Sequence, residues 1–191
     1  MYQGITLIIV DFQKDFCSKT GSLYVKNAQE ALKNIIKLLD SGNVENALFT
    51  VDWHPINHCS FVNNGGQWPM HCIQYSEGAS IPDILLHCCA KNNIPYQIIR
   101  KGTSENEEEY SAFTHITVDG TWNKIKSDNK EYLLDSNKPI VICGLAGDYC
   151  VFESVKSLYK LSPKIYFPGI AFIGNDSSLK VFMENHNLES Y

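Results

Sequence analysis

The sequence predicts an α/β fold in three layers, α/β/α, with helices on both faces of a mostly parallel central sheet. Two observations predict it. Apolar, β-branched runs of strand length alternate along the chain with amphipathic stretches of helical length. The reactive polar residues fall just past the ends of those runs, at the edge where open parallel sheets gather their ligands.

Taken in order, residues 6–10 form the first β-branched run. Ala28, Leu32, Ile35, Ile36 and Leu39 then recur at helical spacing, with Gly42 as a stop. Residues 47–51 read as the second strand. The segment 52–78 is irregular and rich in His, Asn, Gly and Pro, and it is long for a plain connection, which favours a functional loop. Residues 80–91 read as a helix with Pro82 in its first turn, and 96–100 as the third strand. A helix is expected over 121–134, a strand over 139–143 and a helix over 149–161. A short strand over 164–167 and a helix over 177–186 complete the pattern. No internal repeat or Gly/Pro-rich linker divides the 191 residues, so a single domain spanning 1–191 is expected.

The composition is that of an ordinary globular protein, 44% hydrophobic and 19% charged, which excludes a disordered chain. A net charge of −5 gives no footing for nucleic acid or an anionic membrane. The first residues carry neither the basic start nor the long apolar core of a secretory signal. No run approaches the roughly 18 apolar residues of a membrane helix, and a cytosolic protein is expected. The seven cysteines are odd in number and lack the regular spacing of a disulfide scaffold. Cys88, Cys89 and Cys143 sit in apolar segments as small buried residues, whereas Cys17, Cys59 and Cys72 fall in loops near the candidate site.

Cys150 follows an apolar strand and a glycine-bearing turn, at the start of the helix over 149–161. A thiol there faces unpaired backbone N–H groups and the positive end of the helix dipole. A cysteine buried on the inner helix face is the competing reading. Gly144 and Gly147 favour a site, since they let backbone approach a ligand and let turn N–H groups serve as an oxyanion hole. Lys101 ends the third strand, where a cation could lower the thiol pKa, though a solvated surface lysine would read the same way. Asp11 ends the first strand. Paired with Lys101, it could accept the thiol proton and return it to a leaving amine. Asp52 and His54 lie two residues apart, on one side of an extended segment, and His71 follows in the same irregular region. Their mixed N/O character suits a divalent ion such as zinc or iron. His58, Cys59 and Cys72 are spare ligands, with His58 better suited to loop hydrogen bonds.

Six blocks occur in order: Asp11-Phe12-Gln13-Lys14-Asp15-Phe16, Asp52-Trp53-His54-Pro55, Trp68-Pro69-Met70-His71-Cys72, Lys101-Gly102, Tyr110-Ser111-Ala112-Phe113, and Gly144-Leu145-Ala146-Gly147-Asp148-Tyr149-Cys150-Val151. Together they resemble the nicotinamidases (pyrazinamidases) of the isochorismatase-like cysteine hydrolases. The resemblance implies the isochorismatase-like hydrolase fold and hydrolysis of nicotinamide to nicotinate and ammonia, a step in nicotinamide salvage towards NAD. It implies a catalytic triad of Asp11, Lys101 and Cys150, with Asp52, His54 and His71 holding one divalent metal ion. Zinc leads, iron and manganese are alternatives, and no organic cofactor is implied. It implies a substrate ring between Phe16 and Trp68, with Tyr110 and Ala146 also in the pocket, and a cis peptide before Ala146. A related cysteine hydrolase acting on pyrazinamide, an N-carbamoyl compound or another small amide is the alternative. The expected partner is the small-molecule amide, and a homo-oligomer is left open. One departure stands out: Gly147 occupies a position where the family usually has threonine.

Overall fold

The computed structural model describes residues 4–119, 122–135 and 137–191. In chain order its elements are β1 (Ile5–Val10), α1 (Lys14–Cys17), α2 (Ala28–Leu39), β2 (Val44–Asp52), α3 (Asp83–Lys91), β3 (Tyr96–Lys101), β4 (Ile116–Asp119), β5 (Trp122–Ser127), β6 (Lys130–Asp135), β7 (Ile140–Gly144), α4 (Cys150–Leu158), β8 (Lys164–Ile170) and α5 (Ser177–Asn185). Five strands form one parallel sheet in the order β3-β2-β1-β7-β8. Every residue of β1 is buried, as a central strand covered on both faces requires. No helix among the described residues is long and apolar enough to cross a membrane.

The chain steps outward from β1 through β2 to β3, then restarts at β7 and steps the other way to β8. Right-handed crossovers therefore put the helix after β1 and the helix after β7 on opposite faces. β1 and β7 are the neighbours at which the strand order reverses, and a crevice opens past their C-terminal ends. Asp11 leaves β1 into that crevice, and the turn 145–149 leaves β7 into it. The adjacent ends of β2 and β3 add Asp52 and Lys101, which are register partners in the parallel ladder.

Two expectations need correction. Pro82 is the N-cap of α3, outside its first turn, with Asp83 opening the helix. The helix expected over 121–134 is instead antiparallel sheet, although residue 121 itself lies outside the described residues. β4, β5 and β6 pair in that order. The reason is legible in hindsight. Asn123 and Ile125 are buried while Lys124 and Lys126 turn outward, a period of two. Asp128 and Asn129 join β5 to β6 with φ of 48° and 57°, the paired left-handed geometry of a tight hairpin turn. A count of helix formers cannot see either signal.

Gln13, fully buried, ties the site's backbone together. Its amide N–H group donates to Asp52 O at 2.8 Å and Ala79 O at 2.9 Å, and its Oε1 accepts the Asp52 N–H at 2.8 Å. Gln13→Leu keeps the volume and strands three buried partners, so it is expected to lower unfolding free energy by about 3 kcal/mol in urea titration. A loss below about 1 kcal/mol would show that these bonds do not hold the strand ends.

Candidate active site

Lys101, 1% exposed, sits at the centre of the crevice. Its ammonium lies 2.9 Å from Asp11 Oδ2, bonds to Asp52 Oδ1, donates to Glu109 O at 3.0 Å and stands 3.6 Å from Cys150 Sγ. Asp11 Oδ2 has no well-aligned hydrogen bond, so charge holds it to the lysine. Its other oxygen accepts the Thr50 hydroxyl at 2.6 Å. One oxygen each of Asp11 and Asp52 and the Cys150 sulfur lie within 4.8 Å of one another.

This crowding sets the protonation states. Burial would drive the proton off Lys101, but Asp11 and Asp52 hold its pKa well above the ordinary value. Burial keeps Asp11 above the usual carboxylate range despite Lys101. Burial would also raise Asp52, yet the Lys101 ammonium holds it far below that range. Burial pushes the Cys150 thiol well up; Lys101 draws it back, and the two carboxylates add to the rise. The resting group is therefore a thiol. The lysine acts in the expected direction, but desolvation outweighs it.

Asp52 uses its two oxygens differently. Oδ1 meets Lys101, while Oδ2 faces His54 Nε2 at 3.7 Å and His71 Nε2 at 3.9 Å. Each imidazole spends Nδ1 on a backbone carbonyl, Gly102 O at 2.9 Å for His54 and Pro69 O at 2.7 Å for His71. Nδ1–H thus donates, and both Nε2 lone pairs turn towards Asp52. A side chain at Gly102 would stand 2.6 Å from His54 Nδ1, and its φ is +61°, so only glycine fits beneath that ring. The ligand atoms of Asp52, His54 and His71 lie within 4.8 Å of one another, all buried, and His54 Nε2 lacks a hydrogen-bond partner. With two buried carboxylates against one lysine, the cluster is short of positive charge. The residues fit a divalent metal ion. His58 stacks on His54 at 4.0 Å, but its Nδ1 accepts from Ser60 and its Nε2–H donates to Glu107 O, which leaves no lone pair for a metal.

Beside this cluster opens a small, partly open pocket. Cys150, Ala146, Asp52 and His71 line it together with Phe16, Trp68, Tyr110 and Tyr149. Trp68 Nε1 donates to Tyr110 OH at 3.1 Å, and Tyr149 meets Trp68 edge-on at 5.0 Å, so the aromatic wall is braced. The Leu145–Ala146 peptide is cis. In the turn, Tyr149 and Val151 N–H both donate to Ala146 O. Those of Ala146 and Cys150 donate to no protein group among the described residues, and Cys150 opens α4.

No family model matches the chain. The nicotinamidase of Saccharomyces cerevisiae is 31% identical to it, over 83% of each chain. The nicotinamidase of Escherichia coli is 30% identical over 83% of this chain and 78% of its own. The chain belongs to the nicotinamidase family. PnC1 of L. infantum, solved in complex with nicotinate, superposes with a TM-score of 0.78 at 27% identity, covering 100% of this chain and 96% of that one. The isochorismatase-like α/β fold follows from the same likeness.

In this chain the structure brings Asp11, Lys101 and Cys150 into one cluster, Asp52, His54 and His71 into the next, and Phe16, Trp68, Tyr110 and Ala146 into the adjoining pocket. Cys72 is buried with its N–H on Asp15 Oδ2, and neither it nor Cys59 joins a ligand cluster among the described residues. Sequence reasoning missed Thr50, Glu109 and Tyr149. Tyr149 alone left a signal, as an aromatic directly before the candidate nucleophile. Thr50 and the Glu109 carbonyl act through ordinary positions that no spacing marks. A purified preparation dialysed against zinc is expected to retain a single ion by elemental analysis. His71→Ala should weaken retention by at least about 100-fold and His58→Ala by less than about tenfold. Loss of the ion in His58→Ala would overturn this ligand set.

Proposed function

We propose that the protein hydrolyses nicotinamide to nicotinate and ammonia through a thioester on Cys150. The observation that carries this reading is one aromatic pocket flanked by a thiol–carboxylate–ammonium cluster and by an Asp/His/His set.

The substrate is a neutral aromatic amide. Phe16 and Trp68 take its ring between them, which is favourable beyond the area they bury. Asp11 accepts the proton of Cys150 Sγ as sulfur attacks the carboxamide carbon. A carboxylate whose pKa is raised by burial is a better base than an exposed one and readily gives the proton back. Lys101 stays charged throughout and steadies the negative charge as it moves between Asp11 and sulfur. The carboxamide oxygen, now anionic, meets the N–H groups of Ala146 and Cys150, which point at no other acceptor. Asp11 passes its proton to the amide nitrogen, the C–N bond breaks, and ammonia leaves a nicotinoyl thioester. Water then attacks that carbonyl while Asp11 takes its proton. The C–S bond breaks, the proton returns to sulfur, and nicotinate departs.

Asp52, His54 and His71 are the residues to hold a divalent metal; their mixed N/O character suits zinc, the ion proposed, with iron and manganese as alternatives. When bound, such an ion supplies a Lewis acid for the pyridine nitrogen, fixing the ring beside Cys150.

Cys150→Ala is expected to cut ammonia release from nicotinamide by at least about 10,000-fold, and Asp11→Asn by roughly 1,000-fold, with both proteins folded by circular dichroism. Turnover by Cys150→Ala within about tenfold of wild type would sink the thioester route.

A further inference from the structure

The turn after β7 and the loop after β8 meet along a seam that the reaction scheme leaves unused. Gly147 N–H donates to Ala171 O at 2.8 Å. The Asp148 carboxylate accepts Ile173 N–H at 3.0 Å on one oxygen and Gly174 N–H at 2.6 Å on the other. Three hydrogen bonds therefore fasten residues 171–174 to the turn that presents Ala146 and Cys150.

Gly147 has no left-handed φ, so backbone conformation does not call for glycine there. Space does. A Cβ built on it would overlap Cε1 and Cδ1 of Phe172 and stand 2.6 Å from Ile170 Cγ2. The Phe172 ring occupies the volume that a side chain at 147 would take. That ring is partly buried and packs against the core, so moving it aside would give up part of that contact. Its chain neighbour Ile173 lines the pocket with Cys150 and Trp68 while remaining 45% exposed, so it stands at the pocket mouth.

We propose that Phe172 is a positioning residue that sets ring-size selectivity. Seated in the space above Gly147, its ring fixes Ile173 across the pocket mouth and braces the turn behind Cys150. The mouth then admits a single aromatic ring and turns away fused two-ring amides. The selectivity half of this inference rests on the amidase reading given above.

The test is a double-mutant cycle of wild type, Gly147→Ala, Phe172→Ala and the pair. Turnover of nicotinamide and of quinoline-3-carboxamide is measured, together with the rate of Cys150 alkylation by iodoacetamide. Gly147→Ala is expected to lower kcat/KM for nicotinamide by about 100-fold, as the crowded ring displaces the turn. Phe172→Ala should raise KM for nicotinamide about fivefold with kcat within about twofold, and should shift the quinoline-to-nicotinamide kcat/KM ratio upward by at least about fivefold. The pair should recover at least about tenfold over Gly147→Ala alone. The proposal is overturned if Gly147→Ala matches wild type, if the pair is no better than the single, or if Phe172→Ala changes both amides alike. Should Gly147→Ala fail to fold, Phe172→Ala decides through its KM-against-kcat split. If wild type released no ammonia at all, the amidase reading would fall by itself, and alkylation would then judge the seam. A Gly147→Ala effect relieved by Phe172→Ala upholds the bracing, and additive effects refute it.

Discussion

The site depends on one buried ammonium shared by two carboxylates and a thiol. An isolated charge at the depth of Lys101 would be driven to neutrality, and so would an isolated Asp11 or Asp52. Each is tolerable because the others are present. The fold makes the arrangement possible: β3, β2, β1 and β7 lie side by side and parallel, so the residues closing each strand end in one row. Lys101 and Asp52 close adjacent strands in register, and Asp11 closes the next. Removing any one charge leaves the remainder unbalanced, which makes the cluster a unit rather than a set of independent groups.

The same ammonium links the two chemical halves of the pocket. Asp52 touches Lys101 through one oxygen and the histidine pair through the other, so its charge is shared between the nucleophile's neighbourhood and the metal set. The thiol, for its part, rests protonated in a buried corner beside a carboxylate whose proton affinity burial has raised. The first attack needs a proton to move only from sulfur to its neighbour, with no net charge entering the crevice. That economy suits a neutral amide substrate, and it keeps an oxidisable thiolate from standing ready between turnovers.

Much of this was legible in the primary structure, because strand ends are easy to find and chemistry collects at them. Asp11, Lys101 and Cys150 each follow an apolar run, and Asp52, His54 and His71 share one irregular segment. The segment 121–134 reads as helix in the sequence for a physical reason. Lys, Glu and Leu are good helix formers, but a two-residue Asp-Asn turn and period-two burial outweigh propensity in so short a stretch. Gln13 and Thr50 were invisible because their work is to satisfy backbone and carboxylate groups brought together only by the fold. The fit of Gly147 to Phe172 lies further still from the sequence, across more than twenty residues and a strand.

The central claim is that Cys150, relieved of its proton by Asp11 beside Lys101, carries the acyl group. Acid quenching of wild-type protein during turnover of nicotinamide, followed by peptide mass spectrometry, tests it directly. The account predicts a nicotinoyl group on the Cys150 peptide that builds up and decays with substrate, and none on that peptide in Asp11→Asn. Steady release of ammonia with no acyl group on Cys150 at any quench time, or an acyl group on another residue, would contradict it.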